Sequence, residues 1–425
     1  MNSRVKSTVP RANQASVLED YPRIDGVFAR TKPAGAGLTC IDVFAGAGGM
    51  ADGFRQAGFA ILSGTDKANA ACSTFRLNFP EASFFRCPIS ELSGEELRAD
   101  AGLEQGDLDC LIGGPPCQAF SYNNHAREEH AARSSLFRDY LRIVGALKPK
   151  CVVMENVPGI LTILGGSVMK AICSELKVLG YECEARILYA EEYGVPQTRR
   201  RVFFIASRVG PVGELFPRGR FGPSPKPSRV VNPMIHHWSL GRGQSARSAP
   251  TVWCAIGDLP EIENGGGADD ARHTKNPACW YQVRMRQRRR RIYNHVAPTL
   301  HPVQISRIQH VPEGGNWRNI PFGLLPAGMQ RAKPNDHTKR YGRLSKHGLC
   351  CTILTKCDPH WGSYVHPEQD RTISVREAAR LQSFADRFRF AGYRSEQFAL
   401  VGNAVPPMLA AAIGRRIRRH LKAKG

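Results

Sequence analysis

A chain of 425 residues with 42% hydrophobic side chains can bury one large core and a smaller one, and no apolar run in it approaches the length of a membrane span. Lys and Arg number 59 against 37 Asp and Glu, a net charge of +22, so the expected partner is a polyanion, with nucleic acid ahead of an acidic membrane. Thirteen cysteines without regular spacing argue against a disulfide framework and for reduced thiols in a cytoplasmic setting. Residues 1–37 read as a polar, mildly basic tail without the apolar middle of a signal peptide. From there to Ser207 short apolar runs alternate with amphipathic stretches. The spacing predicts strands at Leu38–Phe44, Ala60–Gly64, Asp109–Ile112, Cys151–Met154, Tyr181–Tyr189 and Arg201–Ser207. Helices are predicted between them at Gly49–Ala57, Ala70–Asn78, Ser135–Leu147 and Val168–Leu179. This rhythm implies a doubly wound, mostly parallel α/β sheet covered on both faces, with ligands at the carboxyl ends of its strands. After Arg208 it stops, and residues 209–345 are rich in Gly, Pro, Arg and His. Helical patterning returns at Val375–Phe384 and Met408–Leu421. The expected division is a tail (1–37), a discontinuous α/β unit (38–207 with 371–425) and a loop-rich inserted unit (208–370).

Four segments carry chemistry. The first strand ends in Asp42-Val43-Phe44-Ala45-Gly46-Ala47-Gly48-Gly49-Met50-Ala51, whose glycines let a ligand approach the backbone at a helix N-terminus. Gly46, Gly48 and Ala51 meet the loose dinucleotide fingerprint, with acidic Asp66 twenty residues on. That signal means an adenosine-containing cofactor with a bound ribose, and does not separate NAD from S-adenosylmethionine. The strand at Asp109–Ile112 is cut short by Gly113-Gly114-Pro115-Pro116-Cys117, a rigid turn on which a nucleophilic thiol would be presented. Glu155-Asn156-Val157 follows another strand and puts a carboxylate at the same edge, where partial burial would raise its pKa. In Gln197-Thr198-Arg199-Arg200-Arg201, alternation would aim Arg199 and Arg201 to one side, suited to an anionic or carbonyl-bearing ligand. Taken singly, each has a plain alternative: a packed thiol, a helix-cap carboxylate, arginines on sheet-edge carboxylates. Two arginine clusters stand apart, Arg284–Arg291 and Arg415–Lys424, and the first is the better candidate for phosphate contact.

Taken in order, the set is specific. Phe44-Ala45-Gly46-x-Gly48-Gly49, Pro115-Pro116-Cys117-Gln118, Glu155-Asn156-Val157, Gln197-x-Arg199-x-Arg201, Arg376-Glu377-x-x-Arg380-Leu381-Gln382 and Gly402-Asn403-x-Val405-Pro406 together resemble the DNA (cytosine-5)-methyltransferase family, of the bacterial modification type. The resemblance covers residues 38–425. It implies an S-adenosylmethionine-dependent methyltransferase fold, Rossmann-like, with residues 208–370 as a target-recognition domain. The implied reaction moves methyl from S-adenosyl-L-methionine to carbon 5 of cytosine in a specific duplex DNA sequence, leaving S-adenosyl-L-homocysteine. Cys117 would attack carbon 6 as a thiolate, Glu155 would hydrogen-bond or protonate ring nitrogen 3, and Arg199, with Arg201 nearby, would orient the base. The base would be flipped out of the duplex, and Ser121–Arg133 would close over it. For the cofactor, Phe44, Ala47, Gly48 and Gly49 would line the methionine and adenosine, and Asp66 would accept the ribose hydroxyls. Ile89 and Pro116 would pack by the adenine and sulfonium, with Asn403 and Ala404 completing the pocket.

Three positions depart from the family pattern. Lys67, beside Asp66, stands where an apolar or aromatic residue often lies under the adenine. Pro88 replaces a common Asp, and Ala385 follows Phe384 in place of Pro. Cys350, Cys351, Cys357, His360 and His366 contain no CxxC pair, so no metal is expected. A tRNA substrate is the main alternative; tRNA-acting relatives usually carry Cys-Phe-Thr after the Glu-Asn-Val segment, and Gly159-Ile160-Leu161 lacks it. A non-catalytic DNA-binding relative is disfavoured by the intact Cys117, Glu155 and Arg199. An NAD-linked oxidoreductase is the remaining fold-level alternative, without an apparent hydride-transfer site. The expected partner is double-stranded DNA bound by a monomer, with no membrane and with room for a cognate restriction endonuclease acting separately. The expected location is the cytoplasm, at the nucleoid.

Overall fold

Side chains on successive strand residues point to opposite faces, and here both faces are apolar, which forces helices onto each side. The structure is a computed structural model and describes residues 37–116, 136–222, 236–237, 247–333 and 335–424. Strands β1 (Leu38–Val43), β2 (Phe59–Thr65), β3 (Ser83–Phe85), β4 (Cys110–Gly113), β5 (Cys151–Asn156), β6 (Glu182–Tyr189), β7 (Arg200–Ser207) and β8 (His236–His237) make one sheet. Their spatial order is β3-β2-β1-β4-β5-β7-β6-β8. The first five are parallel, whereas β7 runs antiparallel to both β5 and β6. This is the doubly wound, mostly parallel sheet expected from the sequence, with one strand reversed. The six predicted strands are all present; β3 and β8 are additions, too short for any periodicity to mark.

The alternation sorts side chains into two clusters. Cys40, Cys110, Ile112, Val153, Phe203 and Ile205 join one, and Ile41, Leu111, Val152, Met154, Val202 and Phe204 the other. Helices α1 (Gly49–Gln56) and α2 (Asn69–Asn78) cover the first face, through Phe54, Phe75 and Phe79. Helices α3 (Gly94–Ala101), α4 (Leu136–Leu147) and α5 (Ser167–Val178) cover the second, through Leu97, Ile143 and Ile172. A reciprocal Ser93–Glu96 capping box starts α3.

Beyond β8 come α6 (Val252–Ile256), the hairpin strand β9 (Gly267–Arg272), α7 (Trp280–Arg286), its partner β10 (Arg291–Val296) and α8 (Pro302–Gln309). Val252, Ile256, Tyr281 and Ile292 pack into the first face's cluster, whereas Leu300, Ile308, Trp317, Ile320, Tyr341 and Val365 form a small core of their own. The chain returns to the sheet as α9 (Val375–Leu381), α10 (Arg394–Asn403) and α11 (Pro407–Lys424). Helix α11 lies so close along α1 that a Cβ at Gly53 would come 2.4 Å from the Ala410 Cβ. The apolar part of the stretch Arg394–Ala423 is buried in this packing. The junction with the insert is tied by buried ions: Arg380 pairs with Asp386 at 2.7 Å and with Asp258, and Arg371 grips Glu377 through two bonds of 2.8 Å.

Candidate active site

The carboxyl ends of β1, β2, β4 and β5 open on one cavity of about 650 Å³. Because β7 is antiparallel, its beginning, not its end, reaches this edge, with Val202 opposite Asn156. Arg201 is thereby placed beside Glu155, and its Nε lies 2.8 Å from the Glu155 Oε1. Both line the cavity. Burial pushes the Glu155 carboxyl above its ordinary pKa, an effect opposed by the Arg201 and Arg199 guanidiniums. Such a carboxyl can hold a proton nearer neutrality than a solvated one, as a proton donor requires.

Asn156, next to Glu155, fixes the neighbouring strand end. Its amide donates to the Pro115 carbonyl at 3.0 Å, and its carbonyl oxygen accepts from the Val157 N–H at 2.9 Å. Gly114, Pro115 and Pro116 consequently lie along the cavity wall. Cys117, the expected nucleophile, and the expected closing loop Ser121–Arg133 lie outside the described residues.

Arg199 is placed differently from the sequence expectation of two guanidiniums facing one ligand. It is fully buried and does not line the cavity. Its guanidinium donates instead to three carbonyls: Ile353 (3.2 Å), Gly402 (2.8 Å) and Ala404 (3.0 Å). The last two precede and follow cavity-lining Asn403. A chain of buried amides runs parallel to it: Gln197 donates to Gln382, which donates to the Ala404 carbonyl at 2.7 Å. The Gln197 segment therefore holds the C-terminal block against the sheet, and only Arg201 of the arginine pair reaches the site.

The rest of the cavity is the first-strand loop and its neighbours. Phe44 turns at φ 58°, a left-handed conformation costly for a bulky residue, and lines the cavity with Ala47 and Gly49. Gly48 does not line it; at φ 84° it starts α1, and a Cβ there would meet the Phe79 ring at 2.7 Å. Its absence of a side chain serves ring packing beneath the loop. Asp66, at the end of β2, accepts from the N–H groups of Gly46 (3.1 Å) and Ala68 (3.0 Å), which leaves lone pairs for a ligand. Lys67 stands beside it on the wall, and Ile89 faces them from a turn braced by Arg142, which donates to the carbonyls of Ile89 (2.7 Å) and Leu92 (2.9 Å). Asn403 and Ala404 close the far side from the end of α10.

Two acidic wall residues were given no role by the sequence reading. Asp42 is 1% exposed, accepts from the Ala51 N–H at 3.2 Å, and is pushed well above the usual carboxylate range by burial. A carboxylate inside an apolar strand was the available signal. Glu396, on α10, had no local signal, since only the return of the C-terminal block brings it to the cavity. Of the cysteines and histidines considered for metal, three are engaged with backbone: the Cys350 Sγ with the Cys351 carbonyl at 3.1 Å, the Cys357 Sγ with the Ile373 carbonyl at 3.6 Å, and His366 Nδ1 with the Gln369 N–H at 3.1 Å.

Comparison with known proteins fits this geometry. The family of C-5 cytosine-specific DNA methylases matches residues 38–419. The type II methyltransferase M.AgeI of Thalassovita gelatinovora is 32% identical over 435 residues, spanning 90% of this chain and 99% of that protein. M.DdeI of Desulfomicrobium norvegicum is also 32% identical, over 402 residues, spanning 89% and 88%. A crystal structure of a candidate DNA modification methyltransferase from an E. coli prophage superposes with a TM-score of 0.68 over 91% of this chain and 99% of its own, at 22% identity. That last likeness is one of fold.

Proposed function

This chain belongs to the C-5 cytosine-specific DNA methylase family, and from that premise we propose how its own residues carry the reaction. It is an enzyme that transfers a methyl group from S-adenosyl-L-methionine to carbon 5 of cytosine in DNA. The cavity suits the donor: its volume of about 650 Å³ is that of a small-molecule site, with a carboxylate at the β2 end for a ribose and the apolar wall of Phe44, Ala47 and Ile89 for the base. When bound there, the sulfonium compound supplies an electrophilic methyl group.

Cys117 directly follows cavity-lining Pro116, and we assign it the attack. Its thiolate adds to carbon 6 of a flipped cytosine, and the displaced electron pair is drawn into the ring. Glu155 assists by giving a proton, or a hydrogen bond, to ring nitrogen 3, which leaves carbon 5 nucleophilic. After methyl transfer, loss of the carbon-5 proton returns the electron pair and expels the Cys117 thiolate. Arg201 holds the Glu155 carboxyl and offers its remaining N–H donors to the base carbonyl. Arg199 acts as a positioning residue, because its two terminal amino groups are turned to the carbonyls of Ile353, Gly402 and Ala404, the last two flanking Asn403. The observation that carries this reading is the Glu155–Arg201 pair at 2.8 Å, inside the cavity that Pro116 also lines.

Within residues 208–370, sequence reading of duplex DNA falls to the stretch from Leu300 to Val365, which has its own core. A monomer acting in the cytoplasm, with any partner endonuclease acting separately, completes the proposal. The test is trapping on duplex DNA containing 5-fluorocytosine at the target, mapped first by bisulfite sequencing from a methylation-free host. The native enzyme is expected to form a denaturation-resistant adduct. Cys117→Ala should form none and transfer no methyl, yet still retain DNA; methyl transfer by that variant would overturn the assignment.

A further inference from the structure

The arginine run Arg284–Arg291 was the better sequence candidate for contacts to substrate phosphate, but the structure divides it. Arg286 is turned inward onto Asp258 at 2.5 Å, and Arg291 is paired with Asp270. Arg284 points elsewhere: its guanidinium donates at 3.1 Å to Gln56, the last residue of α1. Helix α1 begins at the cavity with Gly49 and leads away from it, so at 1.5 Å per residue its far end lies about 12 Å off. Helix α11 runs alongside in the same sense. Gly53 faces Ala410, Gly414 faces Ala57, and Arg418 donates to the Ala57 carbonyl at 3.2 Å.

Four exposed guanidiniums meet on this flank. Arg415 is held below its ordinary pKa by partial burial and then by Arg284, Arg220 and Arg419, so all three lie within electrostatic reach of it. Among the described residues no carboxylate lies within 4 Å of any of the four, although neighbouring cations such as Arg286, Arg291 and Arg387 are all paired. Like charges left together without counter-charge are unfavourable, and a polyanion relieves them. An aromatic platform sits among them. Trp280, one turn before Arg284 on α7, is 46% exposed and stacks on Phe221, with ring centroids 5.6 Å apart and planes at 17°. Phe221 directly follows Arg220. Arg and Trp side by side on a surface are the residue types that dominate binding energy at interfaces.

We propose that Arg220, Arg284, Arg415 and Arg419, with Trp280 between them, bind a second segment of duplex DNA, separate from the segment whose cytosine enters the cavity. Backbone phosphates suit four guanidiniums left without counter-charge on one flank, and a chain of net charge +22 already working on DNA meets such segments constantly. One molecule then holds two duplexes at once and can pass between them without release.

The experiment immobilises one duplex, adds the full-length protein, and measures capture of a second, labelled duplex across a salt series. The native protein is expected to capture it. The variant Arg220→Ala/Arg284→Ala/Arg415→Ala/Arg419→Ala should lose this capture, and the log–log salt slope should fall by roughly 3–4, near 0.9 per lost phosphate contact. Methylation of a short duplex with one target should be unchanged, which also shows that the variant folds. The corresponding fourfold Arg→Lys variant should retain most of the capture. Any of four results overturns the proposal: native protein that holds only one duplex, an alanine variant that captures as well as native, loss of short-duplex methylation in step with capture, or native binding to phosphatidylglycerol vesicles in place of the second duplex. Capture is read without methyl transfer, so it fails or succeeds independently of the reaction assigned above.

Discussion

The site turns on one contact, the Arg201 guanidinium against a carboxyl that burial has made reluctant to ionise. Arg201→Ala should lower kcat by on the order of 10²–10³, the usual loss for one stabilising donor, with the KM for the methyl donor little changed. The pH profile gives the sign. Glu155 acts in its protonated form, so kcat/KM should fall on the alkaline side as pH rises through its raised pKa. Arg201 opposes that rise, so its removal should move the alkaline limb to higher pH. A limb that stays put in Arg201→Ala would remove Glu155 as the proton donor. Arg199 is a different case: alanine there orphans the carbonyls of Ile353, Gly402 and Ala404 and should lower Tm as well as rate. From the sequence the two arginines stood two residues apart on one side of a strand, and the resemblance put Arg199 first. Only the antiparallel register of β7 against β5, a long-range fact, separates them.

At the level of the element, the sequence was most informative where one periodicity ran uninterrupted. The runs that became β1, β4, β5 and β7 are apolar on both faces, and the helices between them carry clean amphipathic patterns. The three-residue β3 has no room for a period, and the reversal of β7 leaves no trace in composition. The motif loops were legible because glycine and proline restrict the backbone locally. Glu396 was not, because it depends on how α10 docks. Docking of the C-terminal block rests on the close approach of α1 and α11 at Gly53. Gly53→Leu would force a branched side chain into a gap with a 2.4 Å contact at its Cβ alone, and should cost about 3 kcal/mol or more, read from the urea midpoint. If α11 shifts rather than the core yielding, affinity for the methyl donor should fall with stability.

For the molecule as a whole, the buried charges around α9 set the acid limit. His366 is held neutral by burial, with its pKa lowered to about 4, while in the unfolded chain it titrates near 6.5. The unfolded state thus takes up the proton first, and stability should decline as pH falls from about 6.5 toward 4. Glu377, beside Arg371, and Asp386, beside Arg380, have carboxyls held below the ordinary range despite burial. Their stabilisation is present above the usual carboxylate pKa and is lost as pH falls below it, so unfolding should steepen under about pH 4. Thermal melts across this range should show the first slope flattened in His366→Gln and the second retained; an unchanged first slope would dismiss His366 as its source. The return of α10 and α11 to the first strand also orders events during synthesis. Asn403, Ala404 and Val405 are wall residues of a cavity begun by Phe44, some 360 positions earlier. A nascent chain can build the sheet early, but it has no closed donor site until α10 and the turn after it have left the ribosome. The capacity to mark DNA therefore waits on the docking of that late segment, long after the first-strand loop has formed.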